Sequence, residues 1–331
     1  MPPPSGINKP VKRLRRRKLN NNNSQQIMKL GVGGMVLFLI MLCCYSYYSN
    51  VPHSYLGGRL RGTAKKSWVS DDAQKFNEHS EAENANHLII VAGHSVIIGG
   101  NLEDAASDEH VWYLLDYQKS VGMPQTIVSH IQAGISEAAK DPKSLLIFSG
   151  GETRASTGPV TEGSSYFRVA DALDLWQDKR HGVRARTATE EFATDSFENL
   201  MFSICRFKEI TKFYPQKITV VSFTFKQRRF EELHAKALRW PLNAFSYVGI
   251  DPSASTGFDL QKSTVAEYQN AAKPFETDPY GCNSPILQQK RLDRNPFSRT
   301  PPYKLSCVEL VDLLDWCGPE LFPYELPWDH V

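Results

Sequence analysis

Residues 145–148 read Leu-Leu-Ile-Phe, and the run stops on Ser149-Gly150-Gly151-Glu152. A continuous apolar run bounded by glycines has no solvent face. As a strand it must be covered on both sides, as strands of a parallel sheet are. Two glycines directly behind it let the backbone turn sharply and let another group come close. In open α/β sheets ligands bind just past the carboxyl ends of the strands, so this turn is the expected edge of a site.

The neighbouring sequence alternates in the same manner. Leu88-Ile-Ile-Val-Ala92, ended by Gly93, predicts a strand. Val111 to Lys119 has the spacing of a short helix, and Ile127, Ile131 and Ile135 stand four apart on one helical face. After the strand at 145–148, Tyr166, Val169, Ala170, Leu173 and Trp176 mark a helix and 184–189 a short strand. Phe197, Leu200, Met201, Ile204 and Phe207 mark a longer helix, and Lys217 to Phe223 a clear strand. Phe230, Leu233, Ala237 and Leu238 give one more helix, and 245–248 a last strand. Strands and helices in alternation imply right-handed crossovers and a parallel sheet covered on both faces. The expectation is one three-layer α/β domain over 85–250. Residues 251–303, polar and Pro-rich, read as loop, and Leu305, Val308, Val311 and Leu314 as one closing helix, together a C-terminal extension over 251–331.

The amino-terminal part reads differently. Residues 1–28 form a basic tail, with Lys12, Arg13, Arg15, Arg16, Arg17 and Lys18 in a block and no acid before Asp71. The apolar segment Leu30 to Ser49 follows, long enough to cross a bilayer as a helix, with Tyr45, Tyr47 and Tyr48 at one end. The positive-inside rule puts the tail in the cytosol, so 29–49 reads as a single-pass signal anchor of the endomembrane system and 50–84 as a polar stem. A cleaved signal peptide, a mitochondrial presequence and a cytoplasmic protein are the rival readings. Without the tail the chain is mildly acidic, so nucleic acid is not expected as a partner. Cys43 and Cys44 fall in the membrane segment, and Cys205 falls on a helix. Cys282, Cys307 and Cys317 are an odd three whose pairing the sequence leaves open. No Asn-x-Ser/Thr sequon follows the anchor.

Aligned side by side, the strand ends bring Gly93-His94-Ser95, Ser149-Gly150-Gly151-Glu152-Thr153-Arg154 and Phe223 to Arg229 to one rim. Backbone N–H groups at the glycine turns suit an anion. Lys226 and Arg229 add charge and bidentate grip. The expected ligand is an anionic small molecule, phosphorylated or nucleotide-like, and the cofactor is left unknown. Each residue also has a plain reading. The glycines can simply turn, and Glu162 can stabilise a helix start. Asn199 can sit in a polar network, Glu190 in solvent and His94 in an ordinary turn. Arg228 reads as surface and His234 as structural.

These segments resemble the YdcF/SanA/ElyC-like domain family, a domain of unknown function. Gly93 matches the glycine after the first strand and Ser149-Gly150-Gly151 the family's Ser-Gly-Gly turn. Thr161-Glu162 matches the family's Ser/Thr-Glu pair opening the next helix, and Glu190 with the segment 193–199 ending on Asn199 its Glu…Thr-x-Glu-Asn stretch. The strand and basic helix start at 220–229 complete the likeness, which covers about 88–240 and looks like a fungal, membrane-anchored branch. Two positions depart from the pattern: His94 breaks the family's glycine cluster, and Lys226 stands where the family commonly has histidine. The resemblance implies a Rossmann-like fold, cell-envelope roles as in bacterial members, and nucleotide-like or S-adenosylmethionine binding as associated with one member. It establishes no reaction.

Gly93-His94-Ser95-Val96-Ile97 has part of a nucleophile-elbow pattern, but Ile97 replaces its second glycine. No Asp-x-Asp motif for a glycosyltransferase, zinc spacing, phosphate-binding P-loop or Gly-x-Gly-x-x-Gly is present. Two functions remain. One is an enzyme acting on a phosphorylated or nucleotide-like molecule, or on an envelope, glycan or lipid precursor, with Glu152, Glu162 or Glu190 as base. The other is a non-catalytic binding or trafficking factor. In both, Gly93, His94, Ser149, Gly150, Gly151, Asn199, Lys226 and Arg229 hold the ligand.

Overall fold

The computed structural model describes residues 82–176 and 182–329. The basic tail, the anchor at 29–49 and the stem up to residue 81 lie outside them. Among the described residues no helix is long and apolar enough to cross a membrane.

The sheet has five parallel strands in the order β3-β2-β1-β4-β5. They are β1 His87–Ala92, β2 Ser144–Ser149, β3 Thr187–Glu190, β4 Lys217–Ser222 and β5 Phe245–Gly249. The chain starts at the centre and winds to each edge in turn, the Rossmann-like arrangement. Successive side chains of the buried strands point to opposite faces. Leu88, Ile90, Leu145, Ile147 and Val220 enter one core; Ile89, Val91, Leu146, Phe148 and Val221 enter the other.

Helices α1 (Met123–Lys140) and α2 (Glu162–Ala172) cover the second face, and α3 (Ser196–Thr211) covers the first. Each start has a local cause. Pro124 sits in the first turn of α1, and Thr161 Oγ1 accepts from Ser164 N at the start of α2. Asp195 Oδ1 accepts from Glu198 N in α3. Ile127, Ile131 and Ile135 are buried as their spacing requires. Gly134 of α1 meets β1 so closely that a Cβ there would lie 2.3 Å from Val91.

Three expectations are corrected. Residues 111–119 do not form a helix. Two single 3-10 turns, Glu109–Val111 and Asp116–Gln118, flank an extended piece in which Trp112 bridges Ile97. The indole of Trp112 is anchored on Ala105 O, which fixes this segment as a packed loop. Residues 251–303 are not loop: they hold helices Leu260–Glu267, Lys273–Thr277 and Pro285–Asp293 and a π-helical turn Tyr268–Ala272. The closing helix is broken into Tyr303–Ser306, Val308–Leu310 and Val311–Leu314. Its buried side is Tyr303, Cys307, Leu310 and Leu313, while Leu305 is 86% exposed.

The extension shares the core of the α/β domain. Phe275, Leu287, Tyr303, Phe322, Leu326 and Trp328 pack in one cluster with Leu200, Phe207 and Val220. Cys282 bonds to Cys317, and Cys205 and Cys307 are buried thiols.

Candidate functional site

Between β1 and β4 the chain reverses its direction of winding, and this is the place where a parallel sheet opens a crevice at its carboxyl end. The turns after β1, β2 and β4 meet here. Glu162, in the first turn of α2, leans over two of them. A Cβ on Gly93 would lie 2.6 Å from both Cβ and Oε2 of Glu162, and one on Gly150 would lie 2.6 Å from Oε2. These glycines are therefore required by the approach of Glu162. Gly150 also has φ 154°, a region that L side chains rarely adopt.

The expected cradle of glycine N–H groups is not what forms. Gly93 N donates to Ser149 O at 2.7 Å, Gly150 N to Glu190 O at 2.9 Å and Gly151 N to Ala193 O at 2.8 Å. These donors are spent on tying the turns together. The N–H groups of Ser95 and Val96, both fully buried, have no acceptor among the described residues. A buried N–H without a partner is rare in folded proteins.

His94 and Lys226 form the polar centre. His94 N donates to the buried Tyr166 hydroxyl at 3.0 Å. The Lys226 ammonium lies in hydrogen-bond reach of His94 Nδ1 at 3.2 Å, and His94 Nε2 lies 3.4 Å from Ser222 Oγ. Burial keeps His94 neutral, pushing its pKa well below the ordinary histidine range, helped by Lys226, His130 and Arg229. Burial also lowers Lys226 to about 7; Arg229 and Arg294 push the same way, and Glu162 and Glu267 oppose them. Glu162 holds Thr153 Oγ1 on Oε1 at 2.6 Å, and its Oε2 accepts no hydrogen bond from the described residues.

Other expected site residues have different places. Arg229 is buried at 7% exposure, with Nη1 3.1 Å from Glu267 Oε1 and a buried Nε that has no partner among the described residues. Glu152 is paired with Arg299 at 2.6 Å. Glu190, Ser149 and Asn199 lie beneath the rim. Ser149 Oγ donates to Glu190 Oε2 at 2.7 Å, Asn199 Nδ2 donates to Ser149 Oγ at 2.9 Å, and Tyr303 Oη donates to Glu190 Oε1 at 3.1 Å. Glu190 is 0% exposed, not solvated. Burial lifts its pKa to about 7 against the hydrogen bonds it accepts. Asn199 takes the polar-network place and Arg228 the surface place. His234 is buried, with Nε2 2.7 Å from Ser196 Oγ. Ser95 is buried and donates to Tyr113 O at 2.6 Å, unlike the exposed serine of a nucleophile elbow.

Thr153, on the rim as expected, is a partner of Glu162; sequence reading missed Tyr166, Glu267, Arg294 and Tyr303 as members of the site. Glu267 and Arg294 come from the stretch read as loop, yet its helix starts carry legible signals: Asp259 caps Leu260–Glu267, and Ser284-Pro285 opens Pro285–Asp293. Two surface depressions, of about 500 and 390 Å³, lie elsewhere, beside residues 259–270 and around Asn86 and Tyr214. Neither gathers the buried polar groups that mark a ligand site. Among the described residues no three His, Cys, Asp or Glu side chains are grouped to hold a metal ion.

The chain is similar to an uncharacterized protein of Saccharomyces cerevisiae, 33% identical over 48% of this chain and 64% of the yeast protein. The chain thus covers less than two thirds of that relative's length. No protein-family model matches the chain, and no solved structure matches it.

Proposed function

We propose that the crevice at the carboxyl ends of β1 and β4 binds an anionic small molecule, phosphorylated or nucleotide-like, through Lys226. One observation carries this reading. The Lys226 ammonium has His94 as its only hydrogen-bond partner among the described residues, with Arg229 and Arg294 near enough to depress its pKa. An added anion would relieve that repulsion and occupy the remaining donors.

Membership of the YdcF/SanA/ElyC-like family belongs to this proposal and is supported by the order of the matching segments on a parallel sheet. The proposal also includes a single-pass anchor at 29–49, a cytosolic tail and a folded part across an endomembrane, acting on envelope, glycan or lipid precursors. The bond between Cys282 and Cys317 supports that compartment, because structural disulfides persist in oxidising surroundings. Should the protein be an enzyme, Glu162 is its base: Glu152 is held by Arg299, and Glu190 is sealed under the rim.

A thermal-shift screen with phosphate-bearing and neutral small molecules tests the reading. A phosphorylated ligand at 100 times its Kd is expected to add about 2.7 kcal/mol of stability to the wild type. The shift should vanish in Lys226→Met. A ligand that stabilises both proteins equally would place binding elsewhere.

A further inference from the structure

Beside the lysine a ladder of rings leads from the crevice toward solvent. The His94 ring lies 4.4 Å from Phe223, Phe223 stacks on Phe225 at 5.0 Å with 16° between planes, and Phe225 stacks on Phe258 at 6.1 Å with 29°. His94 and Phe223 are buried; Phe225 and Phe258 are half-exposed. The Lys226 ammonium lies 4.9 Å from the centroid of Phe223, so the charge and the ladder share one ring. Phe258 comes from the loop after β5, directly behind Gly257 in a left-handed conformation at φ 79°. Two separate loops thus align half-exposed rings in one direction, starting at the cation.

From this geometry we infer that the ligand is a phosphate ester carrying a planar aromatic ring, a nucleotide in chemical terms, whose ring extends the ladder on Phe258, held in place by Phe225, while its phosphate meets Lys226. The inference rests on the anion site at Lys226 and adds its specificity. A ring on an aromatic platform gains stacking that a bare phosphate or a sugar phosphate lacks.

Calorimetric titration of the 331-residue chain with inorganic pyrophosphate and with ADP separates the two claims. ADP is expected to bind at least about ten-fold more tightly than pyrophosphate, the lower range of base-on-aromatic stacking. Phe258→Ala, at the outer end of the ladder, should erase that preference and leave pyrophosphate affinity unchanged. Phe225→Leu, which keeps apolar volume against Phe223, should do the same. Equal affinities for the two ligands in the wild type would overturn the aromatic platform and leave the anion site standing. So would a Phe258→Ala variant that weakens both ligands alike. Binding of neither would overturn the anion site and the inference with it.

Discussion

Lys226 and Glu190 both have pKa values near 7, and burial is the leading cause in each, yet they act in opposite directions. Burial disfavours whichever form is charged. The Glu190 pKa in the fold lies above its unfolded value, so its contribution to stability is complete below about pH 4.3 and is lost as pH rises through about 7. Glu190→Gln, neutral at every pH, should remove that contribution. Denaturant unfolding at pH 5 and pH 8 is expected to show a wild-type loss on the order of 3 kcal/mol relative to the variant. Parallel pH profiles would show that Glu190 titrates as it does in water. Lys226 is depressed instead, so its charge, and with it anion affinity, is present below about pH 7 and fades above.

At the scale of elements, the site depends on how closely α2 meets the ends of β2 and β3. Gly163 is the tightest point: a Cβ there would lie 2.6 Å from Phe148 O and 2.9 Å from Glu190 O, both backbone atoms that cannot swing aside. Gly163→Ala should cost about 1–3 kcal/mol in chemical denaturation, and more if β3 shifts with it. An unchanged midpoint would mean that α2 is free to retreat. The strands were legible because apolar runs such as 145–148 admit few alternatives. The glycine turns were legible as turns, but their N–H groups were not: whether such a group faces a ligand or a carbonyl depends on the register of neighbouring strands. The helices after residue 251 escaped because little of their surface is buried. Leu260 and Val265 are exposed, so no apolar stripe forms, and only Asp259 and Ser284-Pro285 mark where helices begin.

At the scale of the molecule, residues 251–331 complete the core that α3 begins. Tyr303 reaches Glu190, and Trp328 donates to Leu238 O at 2.7 Å from within the core. Deletion of residues 303–331 should abolish cooperative unfolding, because the side of α3 that Tyr303, Leu310 and Trp328 cover would be laid bare; a truncated chain with a sharp melt would show that the domain stands without its last 29 residues. The disulfide between Cys282 and Cys317 closes a loop of 35 residues' separation. Cys317→Ser is expected to cost about 3–4 kcal/mol by loop-closure entropy, measured by denaturant unfolding under oxidising conditions. The central claim is that Lys226 binds an anion at the open end of this sheet. Sulfate tests it most directly, because its charge is constant across neutral pH. Calorimetry should show wild-type affinity for sulfate falling between pH 6 and pH 8.5, and about 10- to 100-fold weaker binding for Lys226→Met at pH 6, the worth of a charge-assisted hydrogen bond. Equal sulfate affinity in wild type and Lys226→Met at pH 6 would contradict it.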